Sequence, residues 1–236
     1  MRTQFVDCRW ELGAPERGRE LYLAGHIPGA SFLDLDEDLS DLSASGQGRH
    51  PLPAAARFAA AASRAGIGPG VLVVAYGSLG GAERLWWLLR HFGHDDCAVL
   101  VGGLDVWGGP LRVGEETIEP SAFVPRERED DTIGPDEIAR RLGDRSLVLV
   151  DARPAHRWRG EPNEIDDPPG RIPGALSAPW SEPLEPLPPG ELVAYCGSGV
   201  AACLTLHRAA LAGRDGRLYP GSWSDWSQRG LPLERG

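Results

Sequence analysis

The sequence predicts an α/β protein built as two tandem copies of one small parallel sheet flanked by helices. Three observations carry this reading. Short Val/Leu-rich runs alternate with stretches of helical character, the pattern of parallel strands joined by helical crossovers. Four short motifs recur in the same order in the two halves of the chain. The 236 residues, 42% hydrophobic and 25% charged, have ordinary globular composition and suffice for two small units.

The repeat comes first because it organises everything else. Val6-Asp7-Cys8-Arg9 is answered by Val150-Asp151-Ala152-Arg153, and Gly25-His26-Ile27-Pro28-Gly29-Ala30 by Gly170-Arg171-Ile172-Pro173-Gly174-Ala175. Further along, Val73-Val74-Ala75-Tyr76 matches Leu192-Val193-Ala194-Tyr195, and the stretch from Gly102 to Trp107 matches that from Gly221 to Trp226. The first two pairs are offset by 144 and 145 positions and the last two by 119, so the second copy is shorter by about 26 residues between its second and third motifs. Two homologous domains follow, 1–113 and 132–236. The polar, charged stretch 114–131 between them has the composition of a linker.

In chain order, the first copy is expected to form strands at 4–8, 30–33, 71–76 and 97–101, each a short Val/Leu or aromatic run, with helices at 53–65 and 81–92. The second copy is expected to form a helix at 135–142, strands at 147–151, 175–178, 192–195 and 216–219, and a second helix at 199–212. In open parallel sheets ligands bind at the carboxyl ends of the strands, where loops lead into helix N-termini. The turns after Tyr76 and Tyr195 are those places.

Composition narrows the chemistry. The net charge is -10 and no basic run tracks phosphates, so neither nucleic acid nor an anionic membrane is an expected partner. No apolar run approaches the roughly 20 residues that span a bilayer, and the opening residues lack a signal-peptide core, which points to a soluble cytoplasmic protein. All 24 basic residues are arginine, which excludes Schiff-base catalysis and a phosphate-loop lysine. The four cysteines, Cys8, Cys97, Cys196 and Cys203, form no Cys-x-x-Cys pair and are expected as free thiols. No motif implies a metal, nucleotide or organic cofactor.

One loop carries the chemistry. After Leu192-Val193-Ala194-Tyr195 the chain runs Cys196-Gly197-Ser198-Gly199-Val200-Ala201-Ala202-Cys203 into an apolar helical pattern. Two glycines let successive N–H groups curl around the sulfur, and the helix dipole adds partial positive charge there. Such a turn suits a sulfur nucleophile, and the same cradle can hold a persulfide or a leaving anion. The first copy has Tyr76-Gly77-Ser78-Leu79-Gly80 instead, with Gly77 aligned to Cys196, so that copy has no nucleophile.

With these motifs and Tyr219-Pro220-Gly221-Ser222-Trp223-Ser224-Asp225-Trp226, the chain resembles the tandem-domain rhodanese-like sulfurtransferases, the thiosulfate and 3-mercaptopyruvate sulfurtransferase family. The resemblance implies that Cys196 attacks a donor sulfur, carries it as a persulfide, and passes it to cyanide or to a thiol such as a small thiol or a thioredoxin-like protein. It implies a role for Ser198 in proton handling or donor binding, and donor-carboxylate contacts for Arg153 and Arg157, with Arg159 as a further candidate. The donor cradle falls to Gly197, Gly199, Val200 and Ala201, His26 is a first-domain candidate, and domain one is expected to close the site. Because Gly197 and Ser198 offer no side-chain cation, the loop looks like the mercaptopyruvate type.

Other readings of these residues stand beside these. Ser198 is equally read as an N-cap, Arg153 as the fold partner of Asp151, since the first copy keeps that pair, and His26 as a structural turn residue. Cys8, Cys97 and Cys203 read as core. Ala201 stands where the family usually has threonine, which suggests a non-catalytic or weakly active rhodanese module acting as sulfur carrier or partner-binding protein. A cysteine-dependent phosphatase would need Cys-x5-Arg, and position 202 is alanine.

Overall fold

The computed structural model describes residues 2–236, and its contacts divide the chain into two compact units. The first comprises Met1–Asp41 and Leu52–Arg128, the second Leu42–Pro51 and Glu129–Gly236. The ten residues Leu42–Pro51 therefore fold with the second unit although they lie inside the first repeat.

The first unit runs β1 (Arg2–Cys8), α1 (Arg17–Ala24), β2 (Ser31–Phe32), α2 (Ala55–Arg64), β3 (Val71–Gly77), α3 (Gly81–His91) and β4 (Cys97–Val99). The strands form one sheet in the order β2-β1-β3-β4, every pair parallel. Parallel pairing requires crossovers, which α1, α2 and α3 provide. Buried Val6, Val73 and Ala75 pack against the helices, where Phe58 of α2 stacks on Phe92 at 4.9 Å and meets Phe123 edge-on at 5.5 Å. Phe123 lies in the stretch read as linker. That stretch is tied along the first unit by the N–H groups of Ser121 to the Ser63 carbonyl (3.0 Å) and of Arg126 to the Phe92 carbonyl (2.9 Å).

The second unit repeats the plan. It runs α4 (Pro135–Arg140), β5 (Leu147–Asp151), α5 (Ala155–Trp158), β6 (Leu176–Ser177), β7 (Glu191–Tyr195), α6 (Ala201–Leu211), β8 (Gly216–Leu218) and α7 (Ser222–Trp226). Its sheet has the order β6-β5-β7-β8, again all parallel. Even the register is kept, since Asp151 lies opposite Tyr195 as Asp7 lies opposite Tyr76. In both units the tyrosine hydroxyl at the end of the inner strand accepts the N–H of the Ile-Pro-Gly-Ala turn, Tyr76 from Ile27 at 3.2 Å and Tyr195 from Ile172 at 3.1 Å. The α/β class and the paired parallel sheets are those the alternating pattern predicts.

Three helices were not anticipated. α1 buries only Gly18 and Tyr22 and has no side-chain cap, so it lacks an apolar stripe; α5 and α7 are about a turn each. The helix expected at 199–212 starts at Ala201, because Gly199 is left-handed with φ +82°. Among the described residues no helix is long and apolar enough to cross a membrane.

The second core gathers Ile138, Leu149, Ile172, Val193, Tyr195, Tyr219, Trp223 and Trp226 beneath the strand ends that carry the site. Ile172→Ala should lower the stability of this unit by about 2 to 5 kcal/mol, read as a lower urea midpoint in tryptophan fluorescence.

Candidate functional site

β7 is an inner strand, and the chain leaves the carboxyl end of the sheet at Cys196. Residues 196–200 turn over the strand end before α6 begins. The turn is clamped by the stretch 219–224. Cys196 N–H donates to Ser222 Oγ (3.0 Å), Trp223 N–H to the Cys196 carbonyl (2.9 Å) and Ser224 N–H to the Gly197 carbonyl (3.0 Å). The Ser222 hydroxyl in turn donates to the Tyr219 carbonyl at 2.9 Å. Ser222 is held at φ +53°, a left-handed conformation uncommon for a residue with a Cβ, and these hydrogen bonds over-determine it.

The sulfur itself receives the Gly199 N–H at 3.2 Å. A Cβ on Gly199 would lie 2.5 Å from the Pro220 carbonyl oxygen, so only glycine can turn that N–H onto the sulfur. Buried Val200 and half-buried Ala201 lead into α6, whose N-terminus adds partial positive charge. The Cys203 thiol donates to the Gly199 carbonyl at 3.2 Å and so supports the turn from the helix side. Cys8 and Cys97 lie in strands of the first unit. Burial, with Asp7 beside it, pushes the Cys8 thiol well up, and burial pushes Cys97 up to about 12, so both stay protonated near neutral pH.

Ser198, 8% exposed, makes a contact the sequence did not reveal: its Oγ and the His50 Nδ1 share a hydrogen bond of 2.7 Å. His50 and Arg49 come from Leu42–Pro51. The Arg49 N–H donates to Ser224 Oγ at 3.0 Å and Arg229 Nη2 to the Gly46 carbonyl at 3.1 Å, which seat this segment on the same stretch that clamps the cysteine loop. One signal was available. The stretch by which the first copy is longer contains Arg49 and His50, so the repeat itself sets this segment apart from the parts the two copies share.

The arginines are placed differently from one another. Arg153, 1% exposed, directs Nε and Nη2 onto the Asp151 carboxylate (2.6–3.1 Å), Nη2 also onto the Gly170 carbonyl (2.7 Å) and Nη1 onto Asp166 (3.1 Å). Arg157 grips Asp166 in a two-point fork, Nε at 2.6 Å and Nη2 at 2.5 Å. Its Nη2 and the Nη2 of Arg49 lie 3.0 Å and 2.7 Å from where a Cβ on Gly197 would sit, so the bare glycine makes room for two guanidiniums beside the cysteine. Arg159 is exposed and pairs with Glu161 at 2.6 Å. Asp166, which the sequence reading missed, joins the cluster from an irregular proline-rich stretch with no periodicity to mark it. Burial pushes its carboxyl up, but the Arg157 hydrogen bonds and the charges of Arg153, Arg157 and Arg49 outweigh this and hold it below the usual carboxylate range.

His26 belongs to the first unit, where it is fully buried. Its Nδ1 bonds to the Tyr22 carbonyl at 2.8 Å, its ring stacks on Tyr22 at 4.1 Å, and its N–H donates to the Arg112 carbonyl at 2.9 Å.

A model of the Rhodanese-like domain family matches residues 1–109 and 134–229. A Mycobacterium tuberculosis protein named as a thiosulfate sulfurtransferase, SseB, is 36% identical over 252 residues, covering 95% of this chain and 88% of its own. The human 3-mercaptopyruvate sulfurtransferase is 35% identical over 261 residues, covering 97% of this chain and 86% of its own. Among solved structures, SseA from Escherichia coli, a 3-mercaptopyruvate sulfotransferase, superposes with a TM-score of 0.79 at 30% identity, covering 94% of this chain and 93% of that one.

Asp166→Asn would leave two buried guanidiniums short of a counter-charge, and at pH 7 should cost about 3 to 5 kcal/mol in urea denaturation. Because the folded carboxyl is held low, this contribution is complete above the unfolded value of about 4 and is lost as pH falls through the folded value. The stability gap between wild type and variant should therefore narrow on acidification.

Proposed function

Since the chain belongs to the rhodanese-like family and carries its domain twice, we propose that it is a sulfurtransferase whose second unit moves a sulfane sulfur from 3-mercaptopyruvate, or less readily thiosulfate, through a persulfide on Cys196. One observation carries the reading. The Cys196 sulfur stands at the carboxyl end of an inner parallel strand, with a backbone N–H donated to it from a turn that only glycine can make.

The chemistry is a sulfur transfer in two displacements. The Cys196 thiolate attacks the donor's sulfur, an S–S bond forms, and the C–S bond of mercaptopyruvate breaks with its electron pair going to carbon. The resulting enolate takes up a proton and leaves as pyruvate. The acceptor, a thiolate or cyanide, then attacks the outer sulfur of the persulfide and releases the Cys196 thiolate. The Gly199 N–H stabilises negative charge on the cysteine sulfur at both stages, as attacking and as leaving group. The hydrogen-bonded pair Ser198–His50 is the source of the proton the enolate needs, with the Ser198 hydroxyl in the cysteine loop and the His50 imidazole behind it.

The charge of the site bears on the donor. The loop has no cationic side chain, and Asp151 and Asp166 set against Arg153, Arg157 and Arg49 leave one positive charge, which the Cys196 thiolate balances. With no cation contributed by the loop itself, the site has little positive charge to set against the dianion of thiosulfate, and the single carboxylate of mercaptopyruvate suits it better. A thiol or cyanide completes the cycle, and the four cysteines, all thiols rather than disulfides, support a reducing, cytoplasmic setting.

Cys196→Ser should abolish turnover with both donors while leaving the circular dichroism spectrum unchanged, and intact mass of the wild type after donor treatment should rise by one sulfur atom on the Cys196 peptide. Retained turnover in the variant would sink the assignment. Ser198→Ala and His50→Gln should each lower kcat with mercaptopyruvate by about 100-fold, with the initial mass gain on Cys196 slowed in parallel.

A further inference from the structure

We propose that Arg49, carried on the segment Leu42–Pro51, is the side chain that binds the donor's anionic group, in place of the arginines that follow the second Asp-x-Arg motif. The inference rests on the sulfurtransferase reading and concerns which residue of that site selects the donor.

The other guanidiniums of the cluster are already engaged. Arg153 is buried, with Nε and Nη2 on Asp151, Nη2 also on Gly170 and Nη1 on Asp166, and no face is left for a ligand. Arg157 presents Nε and Nη2 to Asp166 as a parallel fork. This is the geometry with which a guanidinium takes a carboxylate from solution, and here the protein's own carboxylate fills it. Asp166 is 4% exposed and bound to both arginines, so a donor would have to displace a buried ion pair to gain that fork.

Arg49 is in the opposite condition. Its side chain makes one hydrogen bond, Nη1 to the Ile165 carbonyl at 3.1 Å, and among the described residues no carboxylate lies within ion-pair distance of it. Its Nη2 is 2.7 Å from the position a Cβ on Gly197 would take, which puts it over the residue next to the nucleophile. The pairs Asp151–Arg153 and Arg157–Asp166 are each neutral, so Arg49 is the guanidinium of the cluster that carries its charge without a carboxylate partner. Arg49 is exposed at the edge of the cluster, so an incoming anion can reach it, and partial desolvation with the Arg157 charge beside it pulls the guanidinium down from its ordinary value. An incoming anion therefore meets at Arg49 a guanidinium that is accessible and not already bound to a carboxylate, whereas at Arg153 and Arg157 it would have to break an existing pair.

The test separates anion recognition from turnover by using two alkylating reagents of similar size, anionic iodoacetate and neutral iodoacetamide, and by following their rates at the Cys196 peptide by mass spectrometry. In Arg49→Gln the iodoacetate rate should fall about 10- to 100-fold, the worth of one charged hydrogen bond, while the iodoacetamide rate stays within about twofold and Arg49→Lys keeps part of the selectivity through its charge. The same Gln variant should raise KM for 3-mercaptopyruvate more than it lowers kcat. An unchanged iodoacetate-to-iodoacetamide ratio in Arg49→Gln overturns the proposal, and loss of the ratio in Arg157→Gln alone returns the role to Arg157. Equal slowing by both reagents would show damage to the loop and also overturns it. If wild type turns over no donor yet loses its iodoacetate preference in Arg49→Gln, the sulfurtransferase reading fails while the anion site stands.

Discussion

The second unit is organised around one buried ion pair, Asp151 with Arg153. Taking two charges out of water is costly, and the cost is offset only where every donor finds a partner. Here the guanidinium meets both carboxylate oxygens, the Gly170 carbonyl and Asp166. The result is a rigid tie between the end of β5 and the turn that follows Gly170. From that tie the rest follows: Tyr195 pairs with Asp151 in register, its hydroxyl pins the same turn at Ile172, and Cys196 is the next residue along. The first unit supports this reading, since Arg9 ties Asp7 to the carbonyls of Leu21 and Gly25 in the same way although no cysteine follows Tyr76 there. The pair is thus architecture first, and it positions the sulfur without touching it.

Duplication explains how the site is divided. Both copies retain the ion pair, the tyrosine and the pinned turn, because each sheet needs them to end its inner strands in a fixed place. Only the second copy carries a cysteine directly after this tyrosine, with Gly77 in the corresponding place of the first. The added length of the first copy supplies instead the segment Leu42–Pro51, which folds with the second unit and brings a histidine to Ser198 and an arginine to the side of Gly197. A histidine and an arginine beside the cysteine loop therefore come from outside the repeat that holds Cys196 in sequence, and from inside the unit that holds it in space.

Much of this was legible in the chain as written. Parallel strands show as Val/Leu runs because both their faces are buried, and the repeat shows because the same constraints act twice. Cys196 announces itself because a sulfur nucleophile at a strand end needs small residues after it, and Gly197 and Gly199 are adjacent in sequence to what they serve. Helix α1 was not legible, since Gly18 and Tyr22 alone bury and no periodic stripe forms.

What the sequence by itself determined is therefore local: the α/β class, the duplication, and a cysteine turn whose chemistry depends on neighbours a few residues away. What only the tertiary structure decided is which distant side chains share that turn. The Ser198–His50 contact spans 148 positions, Arg49 reaches Gly197 from the same remote segment, and Asp166 occupies the Arg157 fork that a free carboxylate would otherwise take. Such contacts leave no periodicity or spacing in the chain, because they are set by where two surfaces meet after folding, and charge balance at a buried site exists only once those surfaces have met.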